Sequence, residues 1–344
     1  MQQVGFFRWK YPLKSTMTLY ALAAKHYDLE MVFFDEKGID VENEKVNGLV
    51  LQDDEFKPIT TEIPPIINNT PYKHDKQELH NFLSKRTHFM FKSFGGKMSE
   101  YNFFQKEGTL ADYLIPSARI KNYKHFLDFI DQENEVVFKP LYKDKGQGIF
   151  SVKRLGDLYL YEDDRVSEDI NLEEIKTFYN KRIKKQGLLM SKFIESRTFN
   201  DHPFDIRIAF EKNRKGKWIR SQKYARVGYN NKITSNLSTG GGLTKLNHFL
   251  STEYSAEDSK YIEEQINKIS DQLPSLVEKM VDREINSIGL DLGIDIKDKK
   301  VYMFEINSYP GTSNAIGQAA LHRTGYMRYY LDHILSEQEK MVMK

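Results

Sequence analysis

The period of the apolar residues changes several times along the chain, and each change marks an element. The runs "VGFF", "MVFF", "NGLVL" and "PPIINN" are short and apolar with turn residues between them, and a helical stretch around 16–26 separates the first two. Residues 1–75 therefore read as a small alternating α/β unit. Residues 76–135 read mostly as helix, interrupted at Pro116. "EVVFKPL" and "GIFSVKRL" follow as strands flanking the basic glycine loop "YKDKGQG". A polar helix at about 171–185 comes next, then strands in "LLMSKFI", "FDIRIAFE" and "KWIRSQKYARVGY". Over 255–287 apolar residues return at helical spacing, as in Ile262, Ile266, Ile269 and Leu273. Ser255 and Asp258 open this helix as a capping box, and Pro274 is expected to kink it.

The chemistry concentrates near the C-terminal end. In the strand "VYMFEINSYPG" alternate side chains share a face, so Glu305 and Asn307 point one way while Tyr302, Phe304 and Ile306 point the other. "GLDLGIDI" alternates in the same manner, with Leu290, Leu292, Ile294 and Ile296 opposite Asp291, Gly293 and Asp295, and "KDKK" forms a hairpin loop between the two strands. Matching the apolar faces requires partners whose numbers sum to an even value, such as Leu292 with Phe304. That register brings Asp291 beside Glu305 or Asn307, so an odd-length loop or a bulge is predicted. Without a cation, two carboxylates so placed cost on the order of 1 kcal/mol or more in shifted pKa. Mg²⁺ removes that cost and favours a few carboxylates plus substrate phosphates. The same alternation also fits a solvated hairpin face with incidental acids.

Other segments suit a polyphosphate. Lys139 ends an apolar strand as a point charge, and in the loop that follows Gly146 and Gly148 let backbone N–H groups approach phosphate oxygens. "FGGKMS" lacks the first glycine of a Walker A motif. "FDIRIAF" puts Asp205 and Arg207 on one strand face, "KYARVG" adds Lys223 and Arg226, and "NLSTGGGL" offers Asn236 and Gly240 to Gly242. Each piece alone also fits something blander: a solvated basic tip, a structural Asp205–arginine pair, a tight turn.

Composition narrows the classes. The 344 residues suffice for more than one compact unit, and 40% hydrophobic with 29% charged residues is a globular composition. A net charge of +2 gives no broad attraction to nucleic acid or an anionic membrane, so neither is an expected partner. The absence of cysteine excludes disulfides and thiolate metal sites. No apolar run approaches a signal or membrane-spanning length, so the expected location is the cytoplasm.

The order of the pieces resembles the ATP-grasp superfamily, most closely its YheC/YheD-type members, over roughly residues 90–335. The likeness rests on "GGKMSEYNFF" with "YLIPSARI", on "VVFKPLYKDKGQGIFSV", on "FNDHPFDIRIAF" through "NLSTGGG", and on "GLDLGIDIKDKKVYMFEINSYPG". It implies an α+β ATP-grasp fold in which two α+β lobes, about 136–195 and 196–344, clasp ATP. A helical linker segment (76–135) precedes them. Residues 1–75, a Rossmann-like α/β unit, lack the G-x-G-x-x-G turn that a dinucleotide needs.

Residue by residue, the resemblance gives Lys97 and Lys139 to the phosphates, with Lys145, Gly146, Gln147 and Gly148 folding over them. It gives the hinge Ser191, Lys192, Phe193 and Ile194 to adenine and Glu195 to ribose. Asn236 and Gly241 fall to the phosphate cradle, Arg207, Lys223 and Arg226 to the γ-phosphate or acyl phosphate, and Asp291, Glu305 and Asn307 to two Mg²⁺ ions. The hinge here is Ser-Lys-Phe-Ile where relatives often have Gln-x-x-Ile, and "KM" stands where Lys-Trp is common. The implied activity is carboxylate–amine ligation through an acyl phosphate, acting on small-molecule substrates, in a homodimer. A small-molecule kinase and a non-catalytic, spore-associated ATP-binding protein are the alternatives.

Overall fold

The computed structural model describes residues 1–71, 74–140, 148–163, 166–184, 187–228, 241–312 and 314–335. The N-terminal unit runs β1 (Gln2–Phe7), α1 (Lys14–His26), β2 (Leu29–Phe34), β3 (Ile39–Asp40), β4 (Lys45–Gln52), β5 (Glu55–Glu62), β6 (Ile66–Asn68), α2 (Gln77–Ser84) and β7 (His88–Phe89). Strands β2, β1, β6 and β7 lie parallel in that order, and β3, β4 and β5 extend the sheet antiparallel beyond β2. The side-chain period of two sends Val4 and Phe6 to one face and Phe7 to the other. Because β7 belongs to this sheet, the unit extends past residue 75, where the apolar pattern had placed its end.

The next stretch carries α3 (Lys97–Glu107), β8 (Ser117–Arg119), α4 (Tyr123–Glu133), β9 (Glu135–Pro140), β10 (Phe150–Leu155), β11 (Leu158–Asp163), β12 (Ser167–Asn171), α5 (Glu174–Phe178) and β13 (Leu188–Lys192). Its antiparallel sheet is ordered β12-β11-β10-β9-β13-β8. Phe126 and Ile130 of α4, with Ile175 and Phe178 of α5, cover one face above Phe138 and Val152. The polar helix is shorter than its pattern predicts, since residues 167–171 are strand and Tyr179–Ile183 close it as a π turn.

The third sheet is antiparallel in the order β16-β15-β14-β17-β18. It is built from β14 (Phe204–Lys212), β15 (Trp218–Val227), β16 (Gly242–Lys245), β17 (Ser287–Ile294) and β18 (Val301–Asn307), with α6 (Leu246–Glu253) and α7 (Ala256–Val281) packed beneath. The Ser255 hydroxyl caps α7 by accepting the Asp258 N–H at 3.1 Å, and the helix runs unbroken through the buried Pro274. Among the described residues no helix is long and apolar enough to cross a membrane.

Helix α8 (Ile316–Tyr329) leaves this third lobe and packs against α1, so Tyr326 and Met327 join the core of the N-terminal sheet. An exposed apolar sheet face needs a second layer, and α8 completes it. Its anchor is Arg323, 2% exposed, whose Nε and Nη2 donate to Glu211 Oε1 of β14 at 3.0 and 2.8 Å. Nη2 also lies 3.3 Å from Pro310 O, and the guanidinium carbon is 4.7 Å from the centre of the Phe91 ring. Breaking one side of a buried pair leaves an uncompensated charge, whereas replacing both sides with apolar groups does not. Arg323→Leu is therefore expected to lose about 3–5 kcal/mol in denaturant unfolding, and Glu211→Leu/Arg323→Leu to regain most of it.

Candidate nucleotide and metal site

One row of side chains crosses the third sheet on the face away from α7. Arg207 of β14 is opposite Tyr224 of β15 on one side and Asp291 of β17 on the other, and Asp291 is opposite Glu305 of β18. Directly opposed residues share a face. Asp291 is 6% exposed, and every oxygen lone pair on it is engaged. Arg207 donates to both of its oxygens, with Nη2 at 2.8 Å from Oδ2. Arg226 Nη2 is 2.9 Å from Oδ1, and Asn307 Nδ2 donates to Oδ2 at 3.1 Å. Arg226 is also held by both oxygens of Asp205, with Nη2 at 2.7 Å from Oδ2, so the structural Asp205–arginine pair exists within the cluster rather than instead of it. Burial works against the Arg226 charge, but Asp291 and Asp205 outweigh it and raise its pKa.

Lys223 does not join this row. It is opposite Ile208, on the α7 side of the sheet, where it pairs with Glu263 of α7 at 3.2 Å. Its odd number places it one step out of phase with Tyr224 and Arg226, which corrects its expected place beside Arg226.

Two further cations come from outside the sheet itself, one from α3 and one from the second sheet. Lys97, the first residue of α3, follows a Gly95-Gly96 turn in which Gly95 has φ +123 and the Ser99 hydroxyl donates to Gly96 O at 2.7 Å. Its Nζ is 3.5 Å from Glu305 Oε1. Lys139 is the last residue but one of β9, and its Nζ lies 5.8 Å from the centre of the Phe304 ring. Burial pushes the Lys139 ammonium down to about 8; Lys97 adds to the fall and Glu305 opposes it.

The bulge expected in the metal hairpin is present, but its placement reverses two side chains. Pairing runs Gly289–Asn307, Leu290–Ile306 and Asp291–Glu305, then shifts so that Leu292 meets Met303, leaving Phe304 as the extra residue. Val301, Met303 and Ile306 therefore face the α7 core. Tyr302 and Phe304, expected on the same side as Ile306, turn instead toward Ile115 and Ile194 between the lobes. Gly293 makes room for this, since a Cβ there would meet the Phe304 ring at 2.0 Å.

At the hinge, the Ser191 and Ser117 hydroxyls are 2.8 Å apart, Lys192 N–H donates to Pro116 O and Phe193 N–H to Glu135 O, each at 2.9 Å. Glu195 pairs with Lys297 at 3.4 Å, and Ile194 is buried at the lobe interface. Gly148 is exposed with φ +74 just before β10, and Gly241 precedes β16 beside the end of β15. Lys145, Gly146, Gln147 and Asn236 lie outside the described residues.

Glu100 escaped the sequence reading, although a spacing of three from Lys97 on a helix puts both on one face. Burial, with Glu305 nearby, pushes its carboxyl up to about 7, and Lys97 opposes the shift. Among the described residues no three His, Cys, Asp or Glu side chains form a metal-binding group, and the Asn307 amide is engaged in donating to Asp291.

This arrangement of sheets, with a carboxylate hairpin facing Lys97 of α3 and Lys139 of the second sheet, defines an ATP-grasp protein. A family model described as "YheC/D like ATP-grasp" matches residues 85–328, and the chain belongs to that family. It is 21% identical over 239 residues to the endospore coat-associated protein YheC of Bacillus subtilis (strain 168), covering 67% of this chain and 64% of YheC. It is 27% identical over 231 residues to YheD of the same organism, covering 64% of this chain and 49% of YheD. Among solved structures, N5-carboxyaminoimidazole synthetase from Staphylococcus aureus superposes with a TM-score of 0.52 at 12% identity, covering 94% of this chain and 77% of that one. The ATP-grasp ligase PsnB complexed with minimal precursor gives 0.51 at 11%, covering 95% and 99%. These structural likenesses show the fold.

Glu100 supplies a test of the site's electrostatics. With a folded pKa near 7 against 4.5 for the free group, the native state binds more protons across that window, so stability falls as pH rises from about 4.5 to 7. Without added metal, Glu100→Gln is expected to raise the melting temperature at pH 8 and leave it unchanged near pH 4.5, as read by scanning calorimetry.

Proposed function

We propose that this chain is an ATP-dependent ligase that joins a substrate carboxylate to an amine through an acyl phosphate, releasing ADP and phosphate. The observation that carries the reading is the meeting at Glu305 of two cationic elements, Lys97 and Lys139, with the Arg207–Asp291–Asn307 row on the facing sheet. Family membership supports ATP as the nucleotide.

The donor set fits Mg²⁺. Asp291 and Glu305 are cross-strand partners, and Asn307 can turn its amide oxygen inward once its Nδ2 leaves Asp291. When bound, the ion neutralises charge on the phosphates. Lys97 and Lys139 hold phosphate oxygens, and Arg226, already poised between two carboxylates, offers its charge to the transferring group. A substrate carboxylate oxygen attacks the γ-phosphorus and the bond to the ADP oxygen breaks. The amine nitrogen then attacks the acyl carbon, phosphate leaves, and the nitrogen gives up its proton. Such a transfer needs positioning and charge stabilisation more than a protein nucleophile.

One finding favours a second reading. Both curated relatives are named as endospore coat-associated, which suits an ATP-binding coat protein without turnover.

The deciding measurement is ADP and phosphate release with Mg·ATP across amino acids, small peptides and nucleotide sugars. Amine-dependent release of both products is expected, and Glu305→Gln should lower it about 100-fold or more with an unchanged circular-dichroism spectrum. Unchanged turnover in Glu305→Gln refutes the metal assignment. A stable phosphorylated acceptor formed without amine identifies a kinase, and ATP binding with no turnover identifies the coat-protein reading.

A further inference from the structure

The N-terminal sheet has a topological switch at β1. From β1 the chain crosses through α1 to β2 on one side, and after β3, β4 and β5 it lays β6 on the other. Outside the carboxyl ends of strands at such a point a crevice opens, and open α/β sheets bind ligands there. Arg8 is the first residue beyond β1, and Asn68 is the last residue of β6.

Arg8 is a half-buried cation whose partners are all neutral. Nη1 donates to Phe7 O and Asn68 O, both at 2.7 Å, and Nη2 to Asn68 Oδ1 at 3.0 Å. The guanidinium carbon lies 3.9 Å from the centre of the Phe6 ring and 5.8 Å from that of Tyr309. It pairs with no carboxylate among the described residues. Burial lowers its pKa, Tyr309 and Tyr20 oppose the fall, and Arg323 adds to it. A guanidinium has no acceptor, so Asn68 must turn its oxygen to Arg8. The other end of that amide, Nδ2, is therefore next to the guanidinium, in a residue that is 0% exposed, and it has no hydrogen-bond partner. A cation with no carboxylate partner among the described residues and an orphaned donor thus sit together at the carboxyl ends of β1 and β6, where the topology of the sheet switches.

We propose that this crevice binds a carboxylate of the substrate, a group that anchors the molecule and is not itself consumed. The planar fork of Arg8 matches a planar carboxylate, and Asn68 Nδ2 supplies a further donor. The position suits an anchor, because Tyr309 follows Asn307 by two residues and so spans at most about 7 Å from the end of the metal strand. Phe91, 4.7 Å from the Tyr309 ring centre, and Asn69, whose amide holds both the N–H and the C=O of Phe91 at 2.9 Å, fix the adjoining wall. The substrate class is accordingly a small acid, or a peptide with a terminal carboxylate, that presents a second group to the phosphates. Only its description as a ligase substrate rests on the proposed function; the anion site stands without it.

The test uses the full chain in buffer free of Mg²⁺ and ATP, with melting temperature read in sodium succinate, sodium phosphate and sodium chloride at equal ionic strength. Succinate is expected to raise the wild-type melting temperature by about 2–4 °C over chloride, and phosphate by less. Arg8→Gln should lose the response. Asn68→Asp, which places an internal carboxylate beside Arg8, should melt higher than wild type in chloride and also lose the response. Glu305→Gln should keep it, which separates this site from the metal reading. Equal melting in succinate and chloride, a response that survives both Arg8→Gln and Asn68→Asp, or a phosphate response exceeding that of succinate overturns the proposal.

Discussion

Asp291 is the constraint on which the arrangement depends. Two carboxylates placed opposite each other on neighbouring strands repel, and in a half-buried setting that repulsion is weakly screened. The sheet offsets it by threading Arg207 and Arg226 onto Asp291, with Asp205 closing the set, so two cations and two anions form a neutral quartet. Glu305 is left outside that quartet with Lys97 as its counter-charge. The two carboxylates of one hairpin thus have different environments: one is saturated, while the other is partly exposed, with Lys97 within ion-pair distance and Lys139 nearby. Under the proposed Mg²⁺ reading, an incoming cation would meet Glu305 first and gain Asp291 only as Asn307 and an arginine yielded.

The bulge at Phe304 turns this electrostatic row into a site between lobes. Had β18 kept a regular period, Phe304 would share the α7 core with Ile306 and nothing would face β9 from that position. The extra residue rotates Tyr302 and Phe304 outward, where they meet Ile115 and Ile194. The ring then occupies the space that the missing Cβ of Gly293 leaves and underlies Lys139. A single insertion in the ladder both keeps Asp291 opposite Glu305 and supplies the apolar floor that desolvates the lysine facing them.

Much of this was legible from period alone. The alternation in "GLDLGIDI" and "VYMFEIN" carried the hairpin and its shared carboxylate face, and the requirement of an even sum demanded an irregularity. Which residue would bulge was not legible, because that depends on a glycine across the ladder making room for a ring. Lys223, which the resemblance set beside Arg226, lies on the other face because a strand separates odd from even. The Rossmann-like pattern of the first unit showed strands and α1. It could not show that α8, more than 250 residues away, completes the layer, since one amphipathic face carries no label naming its partner. Arg8 was silent for the same reason: its surroundings are assembled from β6, Phe91 and Tyr309, which no local pattern connects.

Arg323 explains how these distant parts act together. It holds Glu211 of β14, the carbonyl of Pro310 just past β18, and the ring of Phe91 just past β7. The third sheet and the N-terminal unit are therefore tied by a buried, directional contact. The lobe bearing Lys139 meets them through the small cluster of Ile115, Ile194, Tyr302 and Phe304. Each of the three sheets has a core of its own, and relative motion is expected at a small interface between separately cored bodies. One side of the cleft is thus β18 and the N-terminal sheet joined through Arg323, and the other is the sheet that carries Lys139. In the proposed ligase, a ligand seated on the first side would keep its position while the second brought the Lys139 charge to the phosphates, the division of labour that in-line transfer between two bound molecules requires.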